Sequence, residues 1–256
     1  MIIYGLIGYP LSHSWSAAWF SKKFVKANIT DKKYLLFPLE RLSDFHDLIR
    51  KNPEILGLNV TIPYKEKIID LLDELDNTAK KIGAVNTISI HHIQGKPFLK
   101  GYNTDADGFR LSMDFSGFKK ALILGTGGVS KAVAFTLKNQ GIDFLFVSRK
   151  PADNAAIHYE EITEDIMNSH SLIINTTPLG MYPDIDSFPP IPYQWVTKSH
   201  YLYDLVYNPE LTLFLRKGQE QGATVQNGKK MFELQAEKSF EIWETSSRNN
   251  FTPSGF

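Results

Sequence analysis

Ala121-Leu122-Ile123-Leu124 runs straight into Gly125-Thr126-Gly127-Gly128-Val129-Ser130-Lys131-Ala132, which opens a helix expected from Ala132 to Gln140. A short apolar strand that ends in glycines and opens a helix constrains a chain to a βα unit with a parallel sheet. Gly125 allows the tight turn, while Gly127 and Gly128 let a pyrophosphate approach the backbone N–H groups at the helix start. Thr126 and Val129 belong to the same turn, and Ser130 stands where a third glycine is usual. A tight βα turn without a ligand uses similar residues, but the strand–turn–helix–strand frame favours a dinucleotide. The next strand, Phe144 to Val147, decides which one. An NAD site places an acid at its end to bond the ribose 2′-hydroxyl. Here Ser148-Arg149-Lys150 follows, without an acid, and two cations suit a 2′-phosphate. The expected cofactor is NADP(H).

The βα rhythm extends in both directions. Before the glycine turn, Ile2–Gly8, Leu35–Leu39, Leu56–Ile62 and Val85–Ile90 read as strands. Helices are expected at about 15–27, 43–50 and 66–82, and another at about 105–114. After it, Leu172–Asn175, Leu202–Val206 and Ala223–Val225 continue the strand series, with a proline-rich loop over Pro183–Pro192. A last helix from about Lys229 to Trp243 carries Phe232, Ala236, Phe240 and Trp243 on one stripe, which must cover something. The fold expected is α/β with two domains: a substrate domain over residues 1–103, a Rossmann domain over 104–226, and a C-terminal helix, 227–256, returning to the first. Residues 246–256 read as a polar tail.

The bulk composition removes several function classes. Lys plus Arg equals Asp plus Glu at 28 each, so no excess charge points to nucleic acid or to an anionic membrane. The absence of cysteine excludes disulfides, thiol catalysis and cysteine-based metal sites. The N-terminus lacks the pattern of a signal peptide and no apolar run has membrane-spanning length, so a cytoplasmic enzyme or small-molecule binder is expected.

Asn59-Val60-Thr61-Ile62-Pro63-Tyr64-Lys65 brings a lysine to the mouth of a strand, since Pro63 stops the ladder and a helix follows. The dipole at a helix start disfavours a positive charge. A lysine there is either a solvated surface group or one that exchanges a proton. Gly8-Tyr9-Pro10-Leu11-Ser12-His13-Ser14-Trp15-Ser16 closes the first strand with three hydroxyls. Ser14 or Ser16 can cap the next helix, or the cluster can hold a carboxylate or sugar-like hydroxyls. His13 reads as structural, and no other histidine has metal-ligand spacing to it, so no metal site is expected. Asn86-Thr87 adds amide and hydroxyl groups, Asn103-Thr104-Asp105 brings an acid that can pair with Lys65, and Gln235 flanks the apolar stripe of the last helix.

Together these segments resemble the shikimate dehydrogenase family over nearly the whole chain. The resemblance is carried by residues 8–16, 59–65, 83–87, 103–105, 125–132, Asn175–Met181 and Gly228–Gln235. It implies an N-terminal substrate domain, an inserted Rossmann domain, and NADPH-dependent reversible reduction of 3-dehydroshikimate to shikimate in aromatic amino-acid biosynthesis. In that picture Ser14 and Ser16 hold the substrate carboxylate, and Thr61, Asn86 and Gln235 bond or flank its hydroxyls. Tyr207 lies near the substrate, and Lys65 with Asp105 forms the catalytic pair. Thr176, in the segment lining the nicotinamide side, and Gly228 are cofactor residues by the same resemblance. The chain departs from the family pattern at Ala17, where proline is usual, at Ser148 and Lys150 on either side of Arg149, at Ala106, and in the basic, bulky stretch 228–232. Quinate, with NAD or NADP, is an alternative substrate, and a non-catalytic polyol sensor is an alternative class. A sensor needs neither Lys65 nor Asp105. A monomer or homodimer is expected.

Overall fold

The computed structural model describes residues 1–11, 14–150 and 156–248. Ser12, His13 and the tail from 249 to 256 lie outside the described residues. The chain divides into two compact units. One is Met1–Thr104 together with the chain from Ala236, and the other is Asp105–Gln235.

The first unit contains β1 (Ile2–Gly8), α1 (Ser16–Lys26), β2 (Lys32–Pro38), α2 (Phe45–Lys51), β3 (Ile55–Val60), β4 (Glu74–Leu75), α3 (Asn77–Ile82), β5 (Thr87–Ile93) and β6 (Lys96–Tyr102). Its sheet has the order β2-β1-β3-β5-β6-β4. β1 pairs in parallel with β2 and β3, whereas β5 is antiparallel to both β3 and β6. The run Tyr4–Gly8 is buried at every position, which is why it reads as continuous rather than alternating hydrophobicity. One face of the sheet is covered by Phe45, Ile49, Ile68 and Ala79. The other is covered by Phe20 and Phe24 of α1, and by Ala236 and Trp243 of the last helix. β3 carries Gly57 beneath that helix, where a Cβ would come within 2.4 Å of the Trp243 ring.

The helix expected over 66–82 is broken. Lys67–Leu71 forms a 3-10 helix, the chain extends at β4, and α3 begins only at Asn77. The cause is β6, a strand absent from the sequence reading, whose edge recruits β4 in parallel. Asp73 closes the junction, its N–H donating to Leu99 O and its Oδ2 accepting from Leu99 N. Asp76 then caps α3 by accepting from Ala79 N and Thr78 N, and Gly83 ends it at φ 70°. β5 and β6 form a hairpin around Gln94 (φ 51°) and Gly95 (φ 78°), a left-handed pair for which glutamine is a weak signal.

The second unit comprises α4 (Thr104–Ser112, from Asp105 on), β7 (Lys120–Leu124), α5 (Gly128–Asn139), β8 (Asp143–Val147), β9 (Ala156–Ile157), α6 (Glu164–Ser169), β10 (Leu172–Asn175), β11 (Tyr201–Asp204), α7 (Leu213–Glu220) and β12 (Thr224–Gln226). The start of α8 (Lys229–Arg248), through Gln235, groups with it. Its sheet is parallel throughout, in the order β12-β11-β10-β7-β8-β9. This is the doubly wound dinucleotide-binding topology, with its strand order reversing between β7 and β10. The helices α6 and α7 and the strand β9 were not anticipated from the sequence. Gly108 lets α4 approach α8, since a Cβ there would lie 2.7 Å from Met231 O. No helix among the described residues is long and apolar enough to cross a membrane.

Candidate active site

In the first unit, strand direction gathers the expected substrate residues at one edge of the sheet. β1 and β3 are parallel, so the segments leaving their C-terminal ends, with Ser14 and Ser16 after β1 and Thr61 and Lys65 after β3, emerge on the same side. β5 runs the other way, so its start, preceded by Asn86, lies at that edge too, and Thr87 pairs with Tyr102 at the end of β6. Asn103, Thr104 and then Asp105 follow β6.

Main-chain bonds stitch this edge together. Thr61 N donates to Ile7 O, Tyr9 N to Ile62 O, Val60 N to Asn86 O, and Val85 N to Lys65 O at 2.7 Å. Gly8 is required beneath it, because a Cβ there would meet the Thr61 methyl at 2.4 Å. Lys65 thus has a fixed backbone and a half-buried side chain, in a turn ahead of the 3-10 helix rather than in an α-helix. A five-residue 3-10 segment aligns few peptide dipoles, so the expected penalty from a helix start does not apply to it.

Neither Ser14 nor Ser16 occupies the N-cap position of α1, which falls on Trp15 with no side-chain cap bond. Instead Ser14 Oγ accepts from Ser16 N at 3.3 Å. Asn86 is buried, and its amide donates to Thr104 Oγ1 at 2.9 Å while its carbonyl accepts from Thr104 N at 2.7 Å. It therefore holds the start of α4, the turn that carries Asp105. Behind it lies a buried network that the sequence reading missed. Asn59 Nδ2 donates to Asn86 O, Thr87 Oγ1 and Ser239 Oγ, and its Oδ1 accepts from Tyr34. A polar residue in an otherwise apolar β3 was the available signal.

In the second unit the glycine turn has the predicted form, though α5 starts at Gly128 rather than Ala132. Gly125 adopts φ 106°, and its N–H donates to Val147 O. The N-cap is Gly127, with no side-chain cap and no acid in the first turn of α5. Added Cβ atoms at Gly127 would meet nothing within 4 Å. An α-helix start left bare of side-chain acceptors suits a phosphate group. Ser130 is buried and turns its hydroxyl onto Gly127 O, so it braces the turn where a third glycine is usual. Thr176 N and Oγ1 both donate to Leu124 O, which sets the start of the 176–181 turn beside Gly125.

Arg149 and Lys150 are exposed after β8, and Lys150 N donates to Ser148 Oγ at 3.3 Å. The Arg149 charge acts on Tyr159, whose hydroxyl burial pushes up to about 12. Tyr207 stacks on Phe232 with ring centroids 4.8 Å apart, and burial raises its hydroxyl to about 12. Gly228 is there for close approach, since a Cβ would fall 2.1 Å from Leu205 O. Gln235 is half-buried on α8. No cluster of His, Asp or Glu among the described residues is arranged to hold a metal ion.

Residues 6–88 match the family model described as the shikimate dehydrogenase substrate binding domain. The shikimate dehydrogenase (NADP(+)) of Methanosphaera stadtmanae is 38% identical, over 98% of this chain and 94% of that protein. The chain belongs to the shikimate dehydrogenase family. Among solved structures, the shikimate 5-dehydrogenase of Thermus thermophilus in complex with NADP(H) and shikimate is 30% identical, with a TM-score of 0.81 over 96% of this chain and 94% of that one. The quinate dehydrogenase of Corynebacterium glutamicum in complex with NAD is 26% identical, with a TM-score of 0.82 over 95% of this chain and 94% of that one.

One further group of this family member stands out chemically. Asp204, at the end of β11, is fully buried, and burial pushes its carboxyl up to about 7 against bonds from Thr212, Val206 and Asn175. A folded-state value raised above the unfolded one contributes stability below the unfolded value, and that contribution is lost as pH rises through about 7. The neutral isostere Asp204→Asn escapes this loss. Its stability relative to the parent is expected to improve steadily from pH 4 to pH 8, read from urea midpoints at each pH. A pH-independent difference between the two would contradict the raised carboxyl.

Proposed function

We propose that this protein is an NADP-dependent oxidoreductase that reversibly reduces 3-dehydroshikimate to shikimate in aromatic amino-acid biosynthesis. One observation carries the reading. A single sheet edge of the first unit gathers hydroxyl- and amide-bearing side chains with one lysine, in a chain whose other unit is a dinucleotide fold with arginine after its second strand. Ser14 and Ser16 suit a carboxylate, and Thr61, Asn86, Tyr207 and Gln235 suit or flank ring hydroxyls. Bound NADPH supplies the hydride to the carbonyl carbon. Lys65, as an ammonium, gives its proton to the ketone oxygen as that charge develops, and takes it back in the oxidation direction. Asp105 orients the ammonium. Gly125, Thr126, Gly127, Gly128 and Val129 cradle the pyrophosphate at α5, Thr176 and Gly228 border the nicotinamide end, and Ser148, Arg149 and Lys150 hold the 2′-phosphate.

Absorbance at the reduced-nicotinamide band, followed with NADP⁺ and NAD⁺ against shikimate and quinate, tests the proposal. Turnover is expected fastest with NADP⁺ and shikimate. The Corynebacterium glutamicum quinate dehydrogenase neighbour makes the quinate arms a real alternative. No turnover in any arm would leave the sensor reading. For Arg149→Ala, NADP⁺ is expected to bind about tenfold or more weakly, as for loss of a charge-assisted contact, with NAD⁺ little changed. Equal losses for both would argue against 2′-phosphate recognition.

A further inference from the structure

We infer that Asp204 is a positioning residue for the nicotinamide end of the cofactor site, acting through Asn175 on the Thr176–Met181 turn; the inference rests on the proposed function. β10 and β11 end in register, with Asn175 opposite Asp204. Asp204 Oδ1 accepts from Asn175 Nδ2 at 2.9 Å and from Val206 N at 3.0 Å, and its other oxygen accepts from the Thr212 hydroxyl. Asn175 is itself fully buried, and its Oδ1 accepts from Thr177 N at 3.0 Å and from the Thr177 hydroxyl at 2.6 Å. One step further, Thr176 is bonded twice to Leu124 O, beside Gly125. The second branch of the carboxylate runs into the loop bearing Tyr207. The third ends on Thr212, which caps α7 through Leu215 N at 3.3 Å.

The chemistry of the carboxylate decides between a fold residue and a positioning one. The hydrogen bonds from Thr212, Val206 and Asn175 all bring donors to the Asp204 carboxyl, and among the described residues no cation offsets its burial. Burying such a group without a counter-ion is costly for the fold alone. What it provides is one acceptor atom, Oδ1, which ties the 205–209 turn after β11 to Asn175 and so to the 176–181 turn, and that second turn leaves β10 beside β7, where the strand order reverses. That is where a dinucleotide crosses a doubly wound sheet. Displacing such a wall by a fraction of an ångström changes where the reacting carbon sits.

The test compares Asp204→Ala, Asp204→Asn and Thr212→Val with the parent protein. Calorimetry measures affinity for NADP⁺ and for adenosine 2′,5′-bisphosphate, which carries the 2′-phosphate but no nicotinamide. Steady-state assays give kcat and KM for shikimate. For Asp204→Ala, NADP⁺ affinity and kcat are each expected to fall about tenfold or more, as for a misplaced reacting group, with adenosine 2′,5′-bisphosphate binding and the KM for shikimate nearly unchanged. Asp204→Asn keeps an acceptor for Asn175 and Val206 and is expected to restore both. Thr212→Val cuts only the branch to α7 and is expected to lower thermal stability without changing NADP⁺ affinity. If Asp204→Ala does not fold, Asn175→Ala deletes the same link and should reproduce the selective loss. Equal weakening of NADP⁺ and the fragment, or no weakening of either, overturns the inference. A parent protein that binds NADP⁺ but turns over no substrate would sink the proposed function, while the two affinities would still decide the role of Asp204.

Discussion

Lys65→Ala is expected to lower kcat by about a thousandfold, within the range for loss of a general acid, while the KM for shikimate changes little. The fold should barely register the change. Its backbone carbonyl accepts from Val85 N, and alanine keeps that bond. The side chain is half-buried, and no packed core cluster includes it. Lys65→Arg sharpens the test. It preserves positive charge but does not release a proton near neutral pH, so it should fail almost as badly as alanine. Assays of NADP⁺ reduction by shikimate, with thermal midpoints measured in parallel, read both variants. Near-normal turnover in Lys65→Ala would remove the lysine from the reaction. Recovery by arginine would reduce its role to electrostatics.

The largest effect on stability is expected at Trp243. Its ring is fully buried, stacks on Tyr4 at 4.6 Å, and packs against Phe20 at 5.6 Å. Its indole N–H donates to Ile88 O at 2.9 Å. Trp243→Ala leaves a cavity bounded by Gly57, which has no side chain to fill it, and should cost about 3–5 kcal/mol. Trp243→Phe keeps much of the aromatic packing but loses the indole hydrogen bond to Ile88 O, for a loss of about 0.5–1.5 kcal/mol. Urea unfolding gives both numbers. A cost for alanine no larger than that for phenylalanine would mean that the site collapses freely around the missing ring.

Where apolar periodicity and glycine chemistry agreed, the sequence was a good guide. β1, β7 and β10 were legible because strands buried on both faces leave no alternative to a continuous apolar run. The turn at Gly125 was legible because only glycine is comfortable at φ 106°. The misreading over 66–82 has a single origin. Ile68, Leu72 and Leu75 are spaced as on a helix, but Asp73 and Asp76 are capping and junction residues that answer to β6. That strand was itself hidden by Lys96, Pro97 and Lys100 and by a Gln-Gly turn.

At the site, residues at strand ends could be nominated from one-dimensional order, because the topology sends those ends to one edge. The supporting network could not. Asn59, Thr104 and Ser239 meet only because strand register and the last helix bring them together. Asp204 lay in plain view within Leu202–Val206, yet an acid in a short apolar run says nothing about its partners until Asn175 is paired opposite it.

Gly57 and Trp243 also set an order of events during synthesis. The second unit is one continuous stretch, Asp105–Gln235, and can close its core as soon as it has emerged from the ribosome. The first unit has no such option. Its sheet exists in the first hundred residues, but the face around Gly57 and Ile88 stays uncovered until Trp243 arrives, 155 residues after the carbonyl it binds. The half of the protein that is translated first is therefore the half that finishes folding last. Until the final helix is released, an apolar sheet face is left for chaperones to shield.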